Sequence, residues 1–144
     1  MEDARGWWRW LFGDGMRETV GRFYTDKNKK EGGMKRYCQT LRLKDNEELI
    51  ASYISVHEKV WPEVQDGMKQ VGILDMQIYI HGNLLFMIVD TVDDFDWEVD
   101  MSRLAGLPGQ AEWERHVARF QDVDENASSM EKWVLMNKIF ELEK

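Results

Sequence analysis

Ile73-Leu-Asp-Met-Gln-Ile-Tyr-Ile80 and Leu84-Leu-Phe-Met-Ile-Val-Asp-Thr91, joined by His81-Gly82-Asn83, form the stretch on which the fold turns. Each half is short and rich in Ile, Leu, Val, Met, Phe and Tyr. The glycine-containing link has the length of a tight turn, so the stretch reads as a β-hairpin. Large apolar residues occupy both registers of both strands, which predicts that neither face of the sheet is left to water.

Upstream, Tyr37, Gln39, Leu41 and Leu43 alternate with Cys38, Thr40 and Arg42, and this period of two predicts a strand over Lys35 to Lys44. Asp45 and Asn46 offer helix caps, and Glu47 and Glu48 suit a first turn. A long helical segment is expected from about Asn46 to Gln70, broken or kinked near Val60 and Trp61 by Pro62 and closed by Gly72. Downstream lie Asp90, Asp93, Asp94 and Asp96. They lack the glycine and glutamate spacing of a calcium loop and read as a solvated loop with a helix cap. Trp97 to Leu104 is expected to be helical, and Ala105 to Gly109, with Pro108, to break that helix. Gln110 to Gln121 is a second helix with Trp113, Val117 and Phe120 on one side, Asp124 to Ser129 a polar loop, and Lys132 to Leu142 a closing strand.

The resulting order, strand, helix, strand, strand, helix, strand, is an α+β ferredoxin-like βαββαβ arrangement: an antiparallel sheet with helices on one face. Its other face needs a cover. A second copy of the same face is the simplest one, so a homodimer closing as a dimeric α/β barrel is expected.

Composition narrows the function. The 144 residues suit one domain, and a net charge of −8 argues against a nucleic-acid partner, which needs a basic patch. Cys38 is the one cysteine, which excludes an internal disulfide and points to a reducing, cytoplasmic setting. No apolar run has the length of a membrane span, so no membrane partner is expected.

Residues 1–33 differ from the domain of residues 34–144. They carry a net charge of +1, leaving −9 for the remainder, and crowd Trp7, Trp8, Trp10, Leu11 and Phe12 into one run, with Met16 to Tyr24 long enough for about two helical turns. They read as an amphipathic anchor or a partner-binding helix, or as a tail packed loosely on the domain. A third reading takes Lys30-Glu31-Gly32 as the trace of a purine-rich bacterial ribosome-binding site just before Met34, with translation starting at Met34. An intact mass that includes the extension refutes this last reading.

One stretch carries chemistry. In Tyr53-Ile-Ser-Val-His57-Glu-Lys-Val-Trp61-Pro62-Glu63, residues four apart share a helical face, so Tyr53, His57 and Trp61 form one polar and aromatic stripe ahead of the bend. Such a stripe grips a small polar ligand or, equally, packs in a core with its polar tips satisfied. His81 falls in the hairpin turn and is expected to be exposed. His116 lies one turn past Glu112 and Trp113, either lining a cleft or on the helix surface. Three histidines this far apart do not suggest a zinc site, and no metal or cofactor is expected.

The run His57-x-x-x-Trp61-Pro62-Glu63, preceded by Tyr53, resembles the signature of the L-rhamnose mutarotases. Further matching pieces follow in order: Gly72 to Tyr79, Asn83 to Phe86, Trp113, and Glu131 to Phe140. The chain is also similar to relatives that act on L-fucose. The resemblance implies a dimer of ferredoxin-like subunits that interconverts the α and β anomers of a 6-deoxy-L-hexose without a cofactor. It implies His57 as the proton donor and Tyr53 as a sugar contact. The family's second-strand tyrosine falls on Met76, and its paired tryptophans are reduced to Trp113, flanked by Glu112 and Glu114.

Mutarotation opens the hemiacetal by moving one proton to the ring oxygen and another off the anomeric hydroxyl, work for which the ordinary pKa of histidine is suited. His57 is therefore the expected acid, with Glu63, Asp75, Tyr79 or water as partner base. Trp61 and Trp113 are candidates to cover the C–H face of a pyranose. Each also has a packing role open to it: Glu63 as a first-turn residue after Pro62, Asp75 at a strand start, Tyr79 as a strand aromatic, the tryptophans in the core. Two rivals share the scaffold, a cofactor-independent oxygenase and a non-catalytic sugar-binding dimer.

Overall fold

The structure is a computed structural model that describes residues 33–124 and 126–143. The expectations for Trp7 to Phe12 and Met16 to Tyr24 lie outside these residues. In chain order the elements are β1 (Lys35–Arg42), α1 (Glu47–Val56), a 3-10 turn (His57–Lys59), α2 (Pro62–Gln70), β2 (Ile73–His81), β3 (Leu84–Thr91), α3 (Trp97–Ala105), α4 (Gln110–Ala118), α5 (Ser129–Lys132) and β4 (Val134–Leu135). The strands form one four-stranded sheet in the order β2-β3-β1-β4, and every pairing is antiparallel. This is the expected ferredoxin-like βαββαβ order, with the central hairpin supplying β2 and β3.

The hairpin turn is tighter than the sequence reading. His81 pairs with Leu84, so the loop is Gly82-Asn83 alone, and Gly82 takes the positive φ of 60° required at the first position of such a turn. Asn83 then anchors the end of β1: its carbonyl accepts from Leu43 N at 2.8 Å and its Nδ2 donates to Leu43 O at 3.0 Å.

Three boundaries move by three residues or more, each for a local reason. The long helical segment breaks at Val56 rather than at Val60 and Trp61. Proline at 62 disfavours helical geometry at the residue before it, so the chain passes through a 3-10 turn and two extended residues, Val60 and Trp61, before Pro62 opens α2 as its first helical residue. The second helix of the latter half ends at Ala118, and Gln121 turns back to bridge Leu43. The closing strand shrinks most: Lys132 belongs to α5, and β4 keeps only Val134 and Leu135, paired with Thr40 and Gln39. The cause is a capping box, with Ser128 Oγ accepting from Glu131 N at 3.3 Å and Glu131 Oε2 accepting from Ser128 N at 3.0 Å.

Strand alternation and the register sort the sheet residues onto two faces. Ile78, Met87, Gln39 and Leu135 lie across one row of the helix-covered face, and Met76, Val89 and Tyr37 across the next. On the opposite face the rows are Tyr79, Phe86, Thr40 and Val134; then Gln77, Ile88 and Cys38; then Asp75, Asp90 and Arg36. The core fills the covered face, with Leu43, Val64, Leu85, Val89, Phe95 and Phe120 fully buried.

Candidate active site

Two helices deliver the aromatic residues to one place. Gln110, the first residue of α4, is buried and donates from Nε2 to Val64 O in α2 at 2.9 Å. Gly67 permits this approach, because a Cβ there would lie 2.6 Å from that same Nε2. Trp61, just ahead of α2, thereby meets Trp113 of α4 edge to face, with ring centroids 5.2 Å apart. Trp113 also stands edge-on to His57 at 5.4 Å, and Tyr53 packs against His57 at 4.2 Å. The expected stripe of Tyr53, His57 and Trp61 is thus not a single helical face. The break between His57 and Trp61 is closed by Trp113, a residue on another helix.

His57 has a defined tautomer. Its Nδ1 lies 2.7 Å from Tyr53 O, and a carbonyl only accepts, so Nδ1 carries the hydrogen and Nε2 is left with its lone pair when the ring is neutral. Burial pushes its pKa below the ordinary value and the nearby His116 pushes the same way, while the hydrogen bond to Tyr53 O opposes them. Neutral imidazole with a proton-accepting Nε2 is therefore the favoured form at neutral pH. Burial, aided by the charge of Glu114, raises the pKa of Tyr53, which keeps its phenol protonated as a potential donor.

His57 lines a cleft of about 1070 Å³ between the helices and the covered face of the sheet, just above the roughly 300–1,000 Å³ usual for small-molecule sites. Tyr53, Trp61, Met76 and Trp113 line it too, as do Gln39, Glu114 and Gln121. Of the expected contacts, Tyr79 and Glu63 are not brought there. Tyr79 is 56% exposed on the opposite face of the sheet, where strand alternation puts it, and donates to Gln77 Oε1 at 2.9 Å. Glu63 is exposed in the first turn of α2 and packs against Gly109, whose φ of 82° and lack of a Cβ allow the contact. Asp75 borders the cleft at a strand irregularity, but its Oδ2 accepts from Gln77 Nε2 at 3.0 Å on the open side. His116 stacks behind Trp61 and Trp113, at 5.5 and 5.9 Å, and His81 is exposed at the end of β2.

Two residues that sequence reasoning did not nominate stand out. Glu114 Oε2 and Gln121 Oε1 are buried acceptors in the cleft with no hydrogen-bond partner among the described residues. The signal for Glu114 was present in the helical pattern: it adjoins Trp113 and lies three residues before Val117, both of which are buried. An acidic residue at that place on an apolar face is unusual. Among the described residues no group of three or more His, Cys, Asp or Glu side chains is placed to hold a metal ion.

Comparison with known proteins gives the cleft a context. Residues 36–142 match the family model of L-rhamnose mutarotase. The chain is 36% identical over 111 residues to an L-fucose mutarotase of Xanthomonas campestris pv. campestris, spanning 76% of this chain and 89% of that protein. It is 28% identical over 94 residues to an L-rhamnose mutarotase of Enterococcus faecalis, spanning 64% and 85%. In three dimensions it resembles the crystal structure of an L-rhamnose mutarotase from Formosa agariphila with a TM-score of 0.58 at 20% identity, covering 76% of this chain and 99% of that one, a likeness of fold. By the extent of the sequence match, over a sheet and helices of the same arrangement, the chain belongs to the L-rhamnose mutarotase family of carbohydrate isomerases.

Proposed function

We propose that this chain interconverts the α and β anomers of a 6-deoxy-L-hexose in the cleft around His57, L-fucose being the first candidate and L-rhamnose the second. The observation that carries the catalytic assignment is the Nδ1 hydrogen bond of His57 to Tyr53 O, which leaves Nε2 free to exchange a proton with sugar. Similarity to the L-fucose enzyme at 36% identity supports the order of candidates. So does Met76, which offers a thioether where the rhamnose enzymes are expected to have a tyrosine hydroxyl.

His57 starts neutral and takes the proton of the anomeric hydroxyl at Nε2 as the C1–O5 bond opens and O5 takes a proton from a second donor. After rotation about C1–C2, O5 returns its proton to that second group as it closes on the other carbonyl face, and the imidazolium returns its proton to O1. Histidine thus serves as base on opening and as acid on closing. The Trp61 and Trp113 rings supply apolar surface for the C–H face of the pyranose, while Tyr53 and Gln121 offer polar groups for its hydroxyls.

The working form is a homodimer joined through the open face of the sheet, where Tyr79 and Val134 are 56% and 60% exposed and Phe86 and Ile88 are half-buried. Cys38 lies on that face, and a single cysteine fits a reducing cytoplasmic setting. No helix among the described residues is long and apolar enough to cross a membrane.

NMR magnetisation exchange between the anomers of L-fucose and L-rhamnose tests the reading. Wild type accelerates exchange of at least one sugar, and His57→Ala lowers that acceleration by about 10²–10⁴-fold, the range of a general acid-base group. Wild type without acceleration on either sugar removes the mutarotase reading, whereas a fully active His57→Ala removes only the role of His57.

A further inference from the structure

Opening a hemiacetal needs a proton delivered to the ring oxygen while another leaves the anomeric hydroxyl, and His57 Nε2 handles one of the two at a time. The groups first expected to handle the other are badly placed: Tyr79 and the Asp75 carboxylate hydrogen-bond to Gln77 on the open side of the sheet, and Glu63 packs on Gly109. Glu114 sits in the cleft itself. It follows Trp113, which touches the His57 ring, and it is near enough to Tyr53 for its charge to act on that phenol, while Tyr53 in turn packs on His57. Its Oε2 is buried and has no hydrogen-bond partner among the described residues. A buried acceptor without a partner is costly; a sugar hydroxyl would satisfy it as a carboxylate, and in its protonated form it would donate to the ring oxygen.

We propose that Glu114 is the second catalytic group, exchanging a proton with the ring oxygen while His57 exchanges one with the anomeric hydroxyl. In the opening step the O1–H proton passes to His57 Nε2, the C1=O1 double bond forms, the C1–O5 bond breaks, and the Glu114 carboxyl proton passes to O5. This leaves imidazolium, carboxylate and the open-chain aldehyde. After rotation about C1–C2 the carboxylate recovers its proton from O5–H, O5 closes on C1, and the imidazolium returns its proton to O1. No proton is gained or lost over the cycle, and no co-reactant is consumed.

The environment is suited to this exchange. Burial lowers the pKa of His57 and raises that of Glu114, with Lys132 and the Ser129 hydroxyl of α5 acting against the rise at Glu114 and His116 of α4 adding to the fall at His57. Tyr53 of α1, kept protonated, packs on His57 and feels the charge of Glu114. The shifts of His57 and Glu114 run in converging directions, so the form that the step needs, neutral imidazole with protonated carboxyl, is less costly than for an ordinary carboxylate and an ordinary imidazole. The reactive pair carries one proton in total. It fails at low pH, where both groups are protonated and no base remains, and at high pH, where the shared proton is lost and no acid remains.

The proposal rests on the anomer-exchange reading, and the test separates the two. Exchange rates of the active sugar are measured across pH for wild type and Glu114→Gln, alongside thermal melting. Wild type should give a bell-shaped profile. Glu114→Gln should be about 10²-fold slower, should lose the alkaline limb so that the rate rises with the deprotonation of His57 to a plateau, and should melt higher at neutral pH because a buried ionisable group is gone. A merely structural role would not move the alkaline limb. A Glu114→Gln rate and profile matching wild type overturn the proposal while leaving mutarotation intact; wild type with no acceleration takes both down. If Glu114→Gln does not fold, the wild-type profile still decides, since a single rise without an alkaline limb overturns the proposal.

Discussion

The two faces of one four-stranded sheet treat their polar groups in opposite ways. On the open face every polar side chain of the outer row is paired: Arg36 Nε and a second guanidinium nitrogen donate to the two oxygens of Asp90 at 2.7 and 3.0 Å. Beside it, Tyr79, Gln77 and Asp75 form a continuous hydrogen-bonded ladder along β2. On the covered side, Glu114 and Gln121 keep buried oxygens without partners among the described residues, and His57 keeps one ring nitrogen available. Folding stability alone would favour the reverse, because unpaired groups are tolerated best where water reaches them. Under the proposed function, the unsatisfied groups retained on the dry side are the ones that the sugar completes.

The strongest way to break this contrast is to remove its hinge on the covered side. Trp113 is buried and touches His57, Trp61 and His116 with one ring. Trp113→Ala should cost about 3–5 kcal/mol of stability, the range for a large aromatic removed from a core. Exchange activity should fall with it, because His57 and Trp61 lose the ring between them. Tyr79→Ala, by comparison, should change stability by less than about 0.5 kcal/mol in the isolated chain. Urea denaturation of the two variants measures both, and a Trp113→Ala chain as stable as Tyr79→Ala would show that the covered side is not organised around this ring.

The legible parts of this architecture were those written in local chemistry. The hairpin, the cap at Asn46 and the break before Pro62 follow from residue type and neighbours, and each is present, with Asn46 Oδ1 accepting from Leu49 N at 3.1 Å. The Ser128-x-x-Glu131 capping box is equally local and went unread because the apolar residues after it alternate like a strand; a single helical turn took Lys132 as a result. The candidate site was half legible for a different reason. Tyr53 and His57 are one helical turn apart, so spacing placed them together. Helical spacing marks Trp113 and Glu114 as facing inward, but that they meet Tyr53 and His57 is decided by the packing of α4 on α2 through Gly67 and Gln110, which leaves no periodic trace. Tyr79 was misplaced by the same limit: alternation fixes that Tyr79 and Met76 lie on opposite faces, but not which face holds the cleft.

The open face makes its own prediction about what covers it. Ile88 sits in the middle row between Gln77 and Cys38, half-buried in one chain. A carboxylate there would stand in the centre of a two-copy interface, where desolvating an unpaired charge is expensive. Ile88→Asp should weaken the dimer at least about tenfold, a change of about 1.4 kcal/mol. Sedimentation at micromolar concentration reads it: wild type at twice the chain mass and the variant shifted toward the chain mass. A wild type that sediments as a monomer refutes the dimer, and a variant that dimerises like wild type moves the interface elsewhere.

The last test asks whether the paired chemistry of the open face is structural. The Asp90 side chain is 8% exposed and that of Arg36 51%, so Arg36→Ala strands a nearly buried carboxylate while exposing little new apolar surface. Because Arg36 is half in water, the loss should stay near the lower end for a broken ion pair, about 1–2 kcal/mol, and should shrink as salt is added. Asp90→Asn in the same chain removes the stranded charge and should return part of that loss, so the two changes should be less than additive. Exchange activity per folded molecule should stay at the wild-type level in all three variants, because the pair lies across the sheet from His57. A drop in that activity, with stability unchanged, would mean that the two faces are coupled through the strands and that the open face does more than hold the sheet together.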